Sequence, residues 1–279
     1  MRTIFLGFEQ FNKGVVMLLW NFQIGCTKYS TGCINCYAEA SYKRYGRDFS
    51  VVQKTGAFNS IKSKKKYPSG EDIWVCNSSD FFHEASDGWR DDTWTLIKSR
   101  PDLRFMIVTK RIDRFLQSIP ADWNEGYGNV WICCTAEDQI NADKRLPLFN
   151  DMPVKHKMIM VEPLFSRVDI SKYLATGQYV QVVSGGECSN TKNCRLTRWS
   201  DVMFLRDQCV QYNIDFVFER IGTRWVGKDS DENNGYTYTR SQGVQVIEAE
   251  KLGLNFKTGN PDTFPLPMKF ECKKTKENH

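Results

Sequence analysis

The sequence lacks the features of an exported or membrane-inserted protein. Its 279 residues contain no run of about 18 apolar residues, the length that a membrane-spanning helix needs. The N-terminal stretch MRTIFLGFEQFNKG does not show the basic, then apolar, then small-residue order of a signal peptide. We therefore expect a cytoplasmic protein with no membrane partner.

The sequence also has few histidines and only a small net charge. The chain has three histidines, and its 38 Lys and Arg residues against 33 Asp and Glu residues leave a formal net charge of +5. A charge this small permits a polyanionic partner such as DNA without requiring one. The most basic stretches, KSKKKYP (62–68) and the tail ECKKTKENH (271–279), are equally typical of a solvated loop and of a track for phosphate groups.

What the sequence does contain is an alternation of short apolar runs with helical patterns. The seven apolar runs are VVMLLW (15–20), DIWVC (72–76), RFMIVT (104–109), NVWICCT (129–135), KMIMVE (157–162), YVQVVS (179–184) and DFVFER (215–220). Several are almost continuously apolar, as strands covered on both faces are. The pattern predicts an α/β fold, a partial (β/α) barrel of six to seven parallel strands.

The same pattern sets the expected helices and domains. Helical patterns cover 36–45, 88–100, 111–118, 139–150, 168–175 and 197–213. Beyond about residue 225 the alternation gives way to the polar stretch GKDSDENNGYTYTRSQG. We predict a barrel domain over residues 1–225 and a small C-terminal extension, 226–279, that packs on the barrel and contains one short strand, GVQVIEA (243–249).

Ten cysteines are many for a reducing compartment, where structural disulfides are disfavoured. Cys26, Cys33 and Cys36 follow the first predicted strand with the spacing C-x6-C-x2-C. Three buried structural cysteines, a zinc ion completed by His83 or another cysteine, and an iron–sulfur cluster are all compatible with this spacing. We favour the cluster, because three thiolates leave one iron of a [4Fe–4S] cluster open to bind another molecule.

Residues 20–39, WNFQIGCTKYSTGCINCYAE, resemble the three-cysteine motif of a phage-associated family of the radical SAM superfamily, whose members are otherwise similar to spore photoproduct lyase. Further pieces of similar sequence follow in the same order: CNSSDFFHE (76–84), VTKR (108–111), TAED (135–138) with Arg145, VEPL (161–164), VVSGGE (182–187) and LRDQC (205–209). The resemblance covers about residues 17–222. Each of these further pieces except the last follows a predicted strand.

The resemblance implies a barrel of the radical SAM type, with a [4Fe–4S] cluster on Cys26, Cys33 and Cys36 and S-adenosyl-L-methionine on the open iron. One electron from the cluster would then release a 5′-deoxyadenosyl radical that abstracts hydrogen from the substrate. Two features depart from the superfamily pattern. Six residues rather than three separate the first two cysteines, and Asn35 stands where an aromatic residue usually precedes the third. Tyr37 is the candidate replacement for that contact with adenine.

A zwitterionic cofactor needs a partner for each of its charges and for its ribose, and the predicted strand ends offer them. We expect Asp80 to accept from the ammonium group and Lys110 to pair with the carboxylate. Glu137 and Arg145 are expected to form an ion pair beside the ribose. Surface ion pairs and helix caps are the alternative roles for these four charges.

Two further strand ends carry candidate contacts to cofactor or substrate. Glu162 ends an apolar strand, where a carboxylate without a partner is costly. A small, permissive turn follows the sixth run, where a ligand can approach the backbone closely. Its residues are Ser184, Gly185, Gly186 and Glu187.

No residue is singled out as acting on the substrate itself. Similarity to a lesion-repair enzyme and to phage proteins implies lyase- or isomerase-type modification of a hypermodified pyrimidine base in phage DNA, and such a base must leave the duplex stack to react. A reducing partner such as flavodoxin or ferredoxin would supply the electron in the bacterial host cytosol. Two alternatives stay open: a radical SAM enzyme acting on a small metabolite or peptide, and a non-catalytic, zinc-stabilised nucleic-acid-binding module.

Overall fold

The computed structural model describes residues 17–189, 193–230 and 236–265. Its strands are, in chain order, β1 (Leu18–Trp20), β2 (Gln23–Ile24), β3 (Gln53–Lys54), β4 (Asp72–Val75), β5 (Arg104–Thr109), β6 (Val130–Thr135), β7 (His156–Val161), β8 (Tyr179–Ser184), β9 (Leu196–Arg198), β10 (Asp215–Phe218), β11 (Arg224–Val226) and β12 (Thr237–Tyr238). Its α-helices are α1 (Tyr37–Arg44), α2 (Arg90–Lys98), α3 (Gln139–Asn150), α4 (Ser171–Leu174), α5 (Trp199–Gln211) and α6 (Gln242–Lys251).

Seven strands form one parallel sheet in the order β1-β4-β5-β6-β7-β8-β10, which curls into a half-barrel flanked by helices. The predicted α/β partial barrel is therefore confirmed. Each of the seven apolar runs contains one strand of this sheet, although β1 and β10 are shorter than their apolar runs. Residues 15 and 16 of the first run lie outside the described residues.

The two faces of the sheet contact two different cores. Every residue of β6 and β7 is buried. One alternating set of side chains, including Ile132 and Ile159, belongs to the larger core together with residues of the helices. The other set, including Cys133, Met158 and Val183, fills the interior of the half-barrel. Continuously apolar strands are what a parallel sheet covered on both faces requires.

Residues 254–264 close the amino-terminal end of the half-barrel. Phe256 forms an antiparallel bridge with Phe216 of β10. The buried ring of Phe264 lies in the interior core, 5.6 Å from the ring of Trp131. The side chain of Gln181 exchanges hydrogen bonds of 3.1 and 2.9 Å with the backbone of Phe264. The C-terminal segment therefore seals the interior at this end.

The C-terminal segment differs from its prediction in one element. GVQVIEA was predicted as a strand, but α6 covers it. Ser241 caps this helix by accepting a hydrogen bond from the backbone N–H of Val244, and Gln245 and Ala249 bury one face at helical spacing. The boundary predicted after residue 225 falls inside β11, which pairs in parallel with β9 and antiparallel with β12.

The other helices lie where they were predicted, but two segments are shorter than expected. Residues 111–118 contain a single 3₁₀ turn, Ile112–Arg114, which buries Ile112 and leads to the buried Phe115 three residues later. The predicted helix 168–175 is reduced to the four residues of α4. Across the described ranges, the helices are all too short or too polar to span a lipid bilayer.

Candidate functional site

A cavity of about 560 Å³ opens at the carboxyl-terminal ends of the parallel strands, opposite the end that residues 254–264 close. The cysteine loop and the start of α1 form one wall. The remaining walls come from segments at the strand ends: Cys76 to Asp80, Thr109 and Lys110, Thr135, Glu162 and Pro163, Gly186 to Cys188, and Arg220. Side chains at this end of the strands carry the chemistry of (β/α) barrels.

The three predicted metal ligands lie together on this cavity. Cys26, Cys33 and Cys36 all line it, and each is a partly exposed free thiol. Cys33 ends a 3₁₀ turn and Cys36 is the N-cap residue of α1. The fold therefore brings three sulfur donors to one cavity from the loop that the spacing indicated.

Tight backbone contacts hold the beginning of this loop. The N–H of Cys26 donates to the carbonyl oxygen of Phe49 at 2.8 Å. Gly25 has a φ of +89°, and a Cβ atom there would lie 2.1 Å from the carbonyl oxygen of Val51. Only glycine fits this position, because a side chain would meet both the backbone strain and the neighbouring strand.

Glu137 and Arg145 form the predicted ion pair, but neither lines the cavity. Arg145 Nη1 lies 2.7 Å from Glu137 Oε2, and both side chains are almost completely buried. Glu137 also contacts the cysteine loop. The hydroxyl of Ser30 donates to its carboxylate, and a Cβ atom on Gly32 would lie 2.7 Å from the same carboxylate. Burial raises the pKa of Glu137, but Lys110 and then Arg145 outweigh it and bring the pKa to about 2.

Asp80 and Lys110 both line the cavity, but only the charged group of Asp80 has hydrogen-bond partners among the described residues. Asp80 accepts hydrogen bonds from Thr109 Oγ1 at 2.8 Å, from the N–H of Lys110 at 2.9 Å and from the N–H of Phe82 at 3.0 Å. Its carboxylate therefore joins the ends of β4 and β5. The ammonium group of Lys110 makes no hydrogen bond or ion pair with the described residues. The cavity thus contains a cation available to an anionic ligand group.

Glu162 faces the cavity beside a guanidinium group that the sequence patterns did not single out. Arg220 lies between two carboxylates, with Nε 3.2 Å from Glu162 Oε1 and Nη2 3.0 Å from Glu219 Oε2. Burial raises the pKa of Glu162 to about 7, against the opposing charges of Arg220 and Lys110. A carboxyl group in this state can hold or release a proton near neutral pH.

The turn after β8 is needed for close packing as much as for ligand access. A Cβ on Gly185 would lie 2.9 Å from the carboxyl carbon of Glu162, and one on Gly186 would lie 2.4 Å from the carbonyl oxygen of Ile221. Gly186 lines the cavity, whereas Gly185 and Ser184 do not. The hydroxyl of the buried Ser184 donates to the carbonyl oxygen of Val161 at 3.1 Å.

Glu187 joins the turn after β8 to the cysteine loop. Its carboxylate accepts from Asn35 Nδ2 at 2.9 Å and from Arg195 Nε at 3.0 Å. Arg195 Nη1 in turn donates to the carbonyl oxygen of Thr31 at 3.0 Å. Glu187 lines the cavity, but its charge is already satisfied by these partners.

Tyr37 lies on the cavity wall next to Cys36. Its hydroxyl donates to the carbonyl oxygen of Asn77 at 2.6 Å, which fixes the ring, and the side chain remains half exposed. The ring can offer a face to a flat ligand group. Tyr37 thus lies on the cavity wall beside the third cysteine, and its contact with adenine stays a prediction.

The site also uses Arg220, Glu219 and Arg195, which sequence reasoning missed. A signal existed for the first two, since Glu219 and Arg220 end the seventh apolar run as Glu162 ends the fifth. No local pattern marks Arg195, because it acts on a loop more than 160 residues earlier in the chain.

The chemistry of the donor set suits a metal centre. Burial and then Asp80 raise the pKa of Cys26 to about 12, so a thiolate here needs a nearby cation, which a bound metal supplies. In the parts of the chain that the structure covers, no group of three or more His, Cys, Asp or Glu side chains is arranged to hold a metal ion. A mononuclear site needs all its ligand atoms within about 2.3 Å of one ion, whereas the thiolates of a four-iron cluster bind separate irons.

His83, the histidine nearest to the cysteines in sequence, has both ring nitrogens engaged. Nδ1 accepts from the N–H of Ala85 at 3.1 Å, and Nε2 lies 3.0 Å from Thr27 Oγ1. A zinc site completed by His83 would have to break one of these hydrogen bonds.

Fold and site together define a partial (β/α) barrel with a thiol-lined cavity at the carboxyl ends of its strands. The chain belongs to the family described as "Protein of unknown function (DUF5131)", which matches residues 16–261. No curated protein and no solved structure matches the chain.

Proposed function

We propose that this protein is a radical S-adenosylmethionine enzyme whose Cys26, Cys33 and Cys36 hold a [4Fe–4S] cluster. The observation that carries the proposal is their convergence on one cavity with Lys110, an ammonium group without a partner among the described residues. When bound, the cluster and S-adenosylmethionine supply an electron and a radical that abstracts hydrogen from the substrate.

The residues of this chain would bind and orient the cofactor. Lys110 would pair with its carboxylate, because its ammonium group makes no hydrogen bond or ion pair with the described residues. The ring of Tyr37 would form the wall beside the adenine, and Gly186 would form part of the cavity wall at the end of β8. Asp80 would hold the ends of β4 and β5 in register while one lone pair of its carboxylate faces the ligand.

Glu162 and Arg220 would act on the substrate side of the cavity. Arg220 is fixed by two carboxylates and so gives Glu162 a defined position, while burial raises the pKa of Glu162 to about 7. Such a group can give a proton to, or take one from, a rearranging substrate. Modification of a base changes which of its atoms carry protons, so a side chain that can transfer a proton would be useful on this side of the cavity.

For the substrate we propose a pyrimidine base of phage DNA, modified in the reducing cytosol of the bacterial host. The net charge of +5 and the cavity-lining Arg47 support a polyanionic substrate, while the cavity-lining Lys28 and Lys43 are paired with Glu39. A target base would be flipped out or presented on a single strand to reach the cavity. Flavodoxin or ferredoxin is the class of electron donor.

The cavity volume favours a second candidate function, a radical enzyme for a small metabolite or peptide. About 560 Å³ is within the usual range for small-molecule sites. Salt separates the two, because binding of DNA weakens steeply as ionic strength rises and binding of a small neutral metabolite does not.

Anaerobic purification tests the metal centre. The wild-type protein should be brown, contain iron and sulfide in equal amounts, and release 5′-deoxyadenosine from S-adenosylmethionine with a chemical reductant. Cys33→Ala should lose the iron and the cleavage, while Cys188→Ala, a matched thiol of the same cavity, should keep the iron. A colourless zinc protein, or full iron in Cys33→Ala, would refute the assignment.

The substrate is tested by mass spectrometry of nucleosides. DNA from phage-infected cells should contain a modified pyrimidine when the wild-type protein is present and lack it when Cys33→Ala replaces the wild type. Unchanged nucleosides together with intact cofactor cleavage would favour the metabolite alternative.

A further inference from the structure

Arg111 is a buried cation at the edge of the cysteine loop. It is the second residue after β5, and its side chain is only 5% exposed. Its Nη2 donates to the carbonyl oxygen of Thr27 at 3.1 Å and to Thr27 Oγ1 at 2.7 Å. Thr27 is the neighbour of Cys26 and lines the cavity. A positive charge is therefore fixed beside the first cysteine.

The positive charge of Arg111 is not fully balanced by negative charges on the side chains around it. Its Nε is buried and has no hydrogen-bond partner within the described residues. The only carboxylate within 4.0 Å in the described part of the chain belongs to Glu84, whose oxygen is 3.8 Å from Nη1 and whose side chain is 54% exposed. The ring of Tyr29, 4.7 Å away, adds a cation–π contact. A buried guanidinium group is costly without a close anion, so the site should supply one.

His83 also contacts the hydroxyl group of Thr27. Its Nδ1 accepts from the N–H of Ala85, which leaves the proton of a neutral ring on Nε2, 3.0 Å from Thr27 Oγ1. Thr27 Oγ1 therefore accepts from both Arg111 and His83, and its own hydrogen is free to donate. Two buried side chains thus orient one hydroxyl on the cavity wall beside Cys26.

We propose that Arg111, with His83 and Thr27, forms the supporting layer of the metal centre, and that the charge of Arg111 raises the reduction potential of the cluster. The inference rests on the proposed function, since it requires a cluster on the three cysteines. Thiolate-bound clusters carry net negative charge, and charge and hydrogen bonds near the sulfurs set their potentials. Arg111 is a positioning residue rather than a catalytic one.

The sign of the effect follows from charge. The reduced cluster carries one more negative charge than the oxidised cluster, so a fixed positive charge stabilises the reduced form more. Removal of the Arg111 charge should lower the midpoint potential. Removal of the Glu84 charge should raise it, because Arg111 then lacks its only nearby counter-ion among the described residues.

Redox titration of the iron-loaded proteins, followed by electron paramagnetic resonance, tests this. In Arg111→Gln we expect the ratio of reduced to oxidised cluster at a given potential to fall about tenfold, about 59 mV for a one-electron couple. Arg111→Lys should keep most of the wild-type ratio. Glu84→Gln should shift the ratio the other way, by about threefold, since this exposed carboxylate is screened by solvent.

Arg114→Gln is the matched control. Arg114 lies in the same segment and bonds to a backbone carbonyl and a carboxylate, but it does not touch Thr27. An Arg111→Gln midpoint equal to that of Arg114→Gln would overturn the inference alone. If Arg111→Gln does not fold, Glu84→Gln decides: an upward shift supports the inference and an unchanged midpoint overturns it. A wild-type protein without iron overturns the proposed function and this inference together.

Discussion

The two ends of the half-barrel differ in how their lysine and arginine side chains are paired. At the amino-terminal end, Arg104 makes a two-pronged ion pair with Asp72 at 2.6 and 2.9 Å, and the indole N–H of Trp131 donates to the backbone carbonyl oxygen of Asp262. At the carboxyl-terminal end, Lys110 has no partner among the described residues and Arg111 Nε is unsatisfied. The difference shows which end is built for stability and which leaves capacity for a ligand.

The C-terminal part of the chain contacts both ends of the half-barrel. Residues 254–264 seal the amino-terminal end, while α6 reaches the cavity through Gln242 and bonds Cys188 Sγ to Gln245 Oε1 at 2.7 Å. Substitutions at the sealed end should therefore lower stability without changing metal binding. Substitution of Lys110 at the open end should change binding with little effect on stability.

The largest effect is expected at the sealed end. Phe264→Ala removes a ring that is 1% exposed from the interior core, and should lower the free energy of unfolding by about 3–5 kcal/mol. Urea unfolding measures this loss, with Lys257→Ala as an exposed control in the same segment. Iron content per folded molecule should be unchanged; a loss of iron in the folded variant would break the distinction between the two ends.

Lys110 gives the next largest effect, at the open end. Lys110→Met should weaken binding of S-adenosylmethionine to the iron-loaded protein by about 2–3 kcal/mol, because one charge-assisted contact to the carboxylate is lost. Calorimetry measures the affinity, with Lys64→Met, an exposed lysine outside the cavity, as a control. Decarboxylated S-adenosylmethionine should bind wild type and Lys110→Met equally. If it too binds Lys110→Met more weakly, the cation does not pair with the carboxylate.

Glu162, at the open end, should make the stability of the protein depend on pH. Its native pKa of about 7 lies above the ordinary value of 4.5, so the native state holds this proton more tightly than the unfolded state. The resulting stability is fully present below about pH 4.5 and is lost as pH rises through about 7, with a total on the order of 2 kcal/mol.

Urea unfolding between pH 5 and pH 8, reported as the slope of stability against pH, isolates this group. Glu162→Gln should remove that part of the slope, and Glu125→Gln, an exposed control, should retain it. Equal slopes in wild type and Glu162→Gln would mean that the carboxyl group titrates normally.

The smallest effect is expected at the helix that joins the two ends. Ser241→Ala removes the cap of α6 and should cost about 1 kcal/mol in thermal or urea unfolding, while Ser241→Asp should keep most of the stability. A strand at this position would leave both variants close to wild type. The measurement therefore also checks the correction from strand to helix.

Much of the fold followed from local patterns, and the exceptions have physical reasons. Continuous apolar runs predicted all seven strands, because only strands covered on both faces can be apolar throughout. GVQVIEA was misread because its valines alternate over a short stretch, which two periods fit equally well. The ion pair of Glu137 and Arg145, eight residues apart, was within reach of sequence reasoning, but its place under the cysteine loop was not.

By itself the sequence determined the strand and helix alternation and the grouping of three thiols in one loop, since both depend on short-range spacing. Which charges stay unpaired was decided only by the tertiary structure. Arg111, Glu187 and Arg220 meet their partners across segments from distant parts of the chain, and burial at those meeting points sets the cost of each charge. Neither the contacts nor the burial can be read from spacing along the chain.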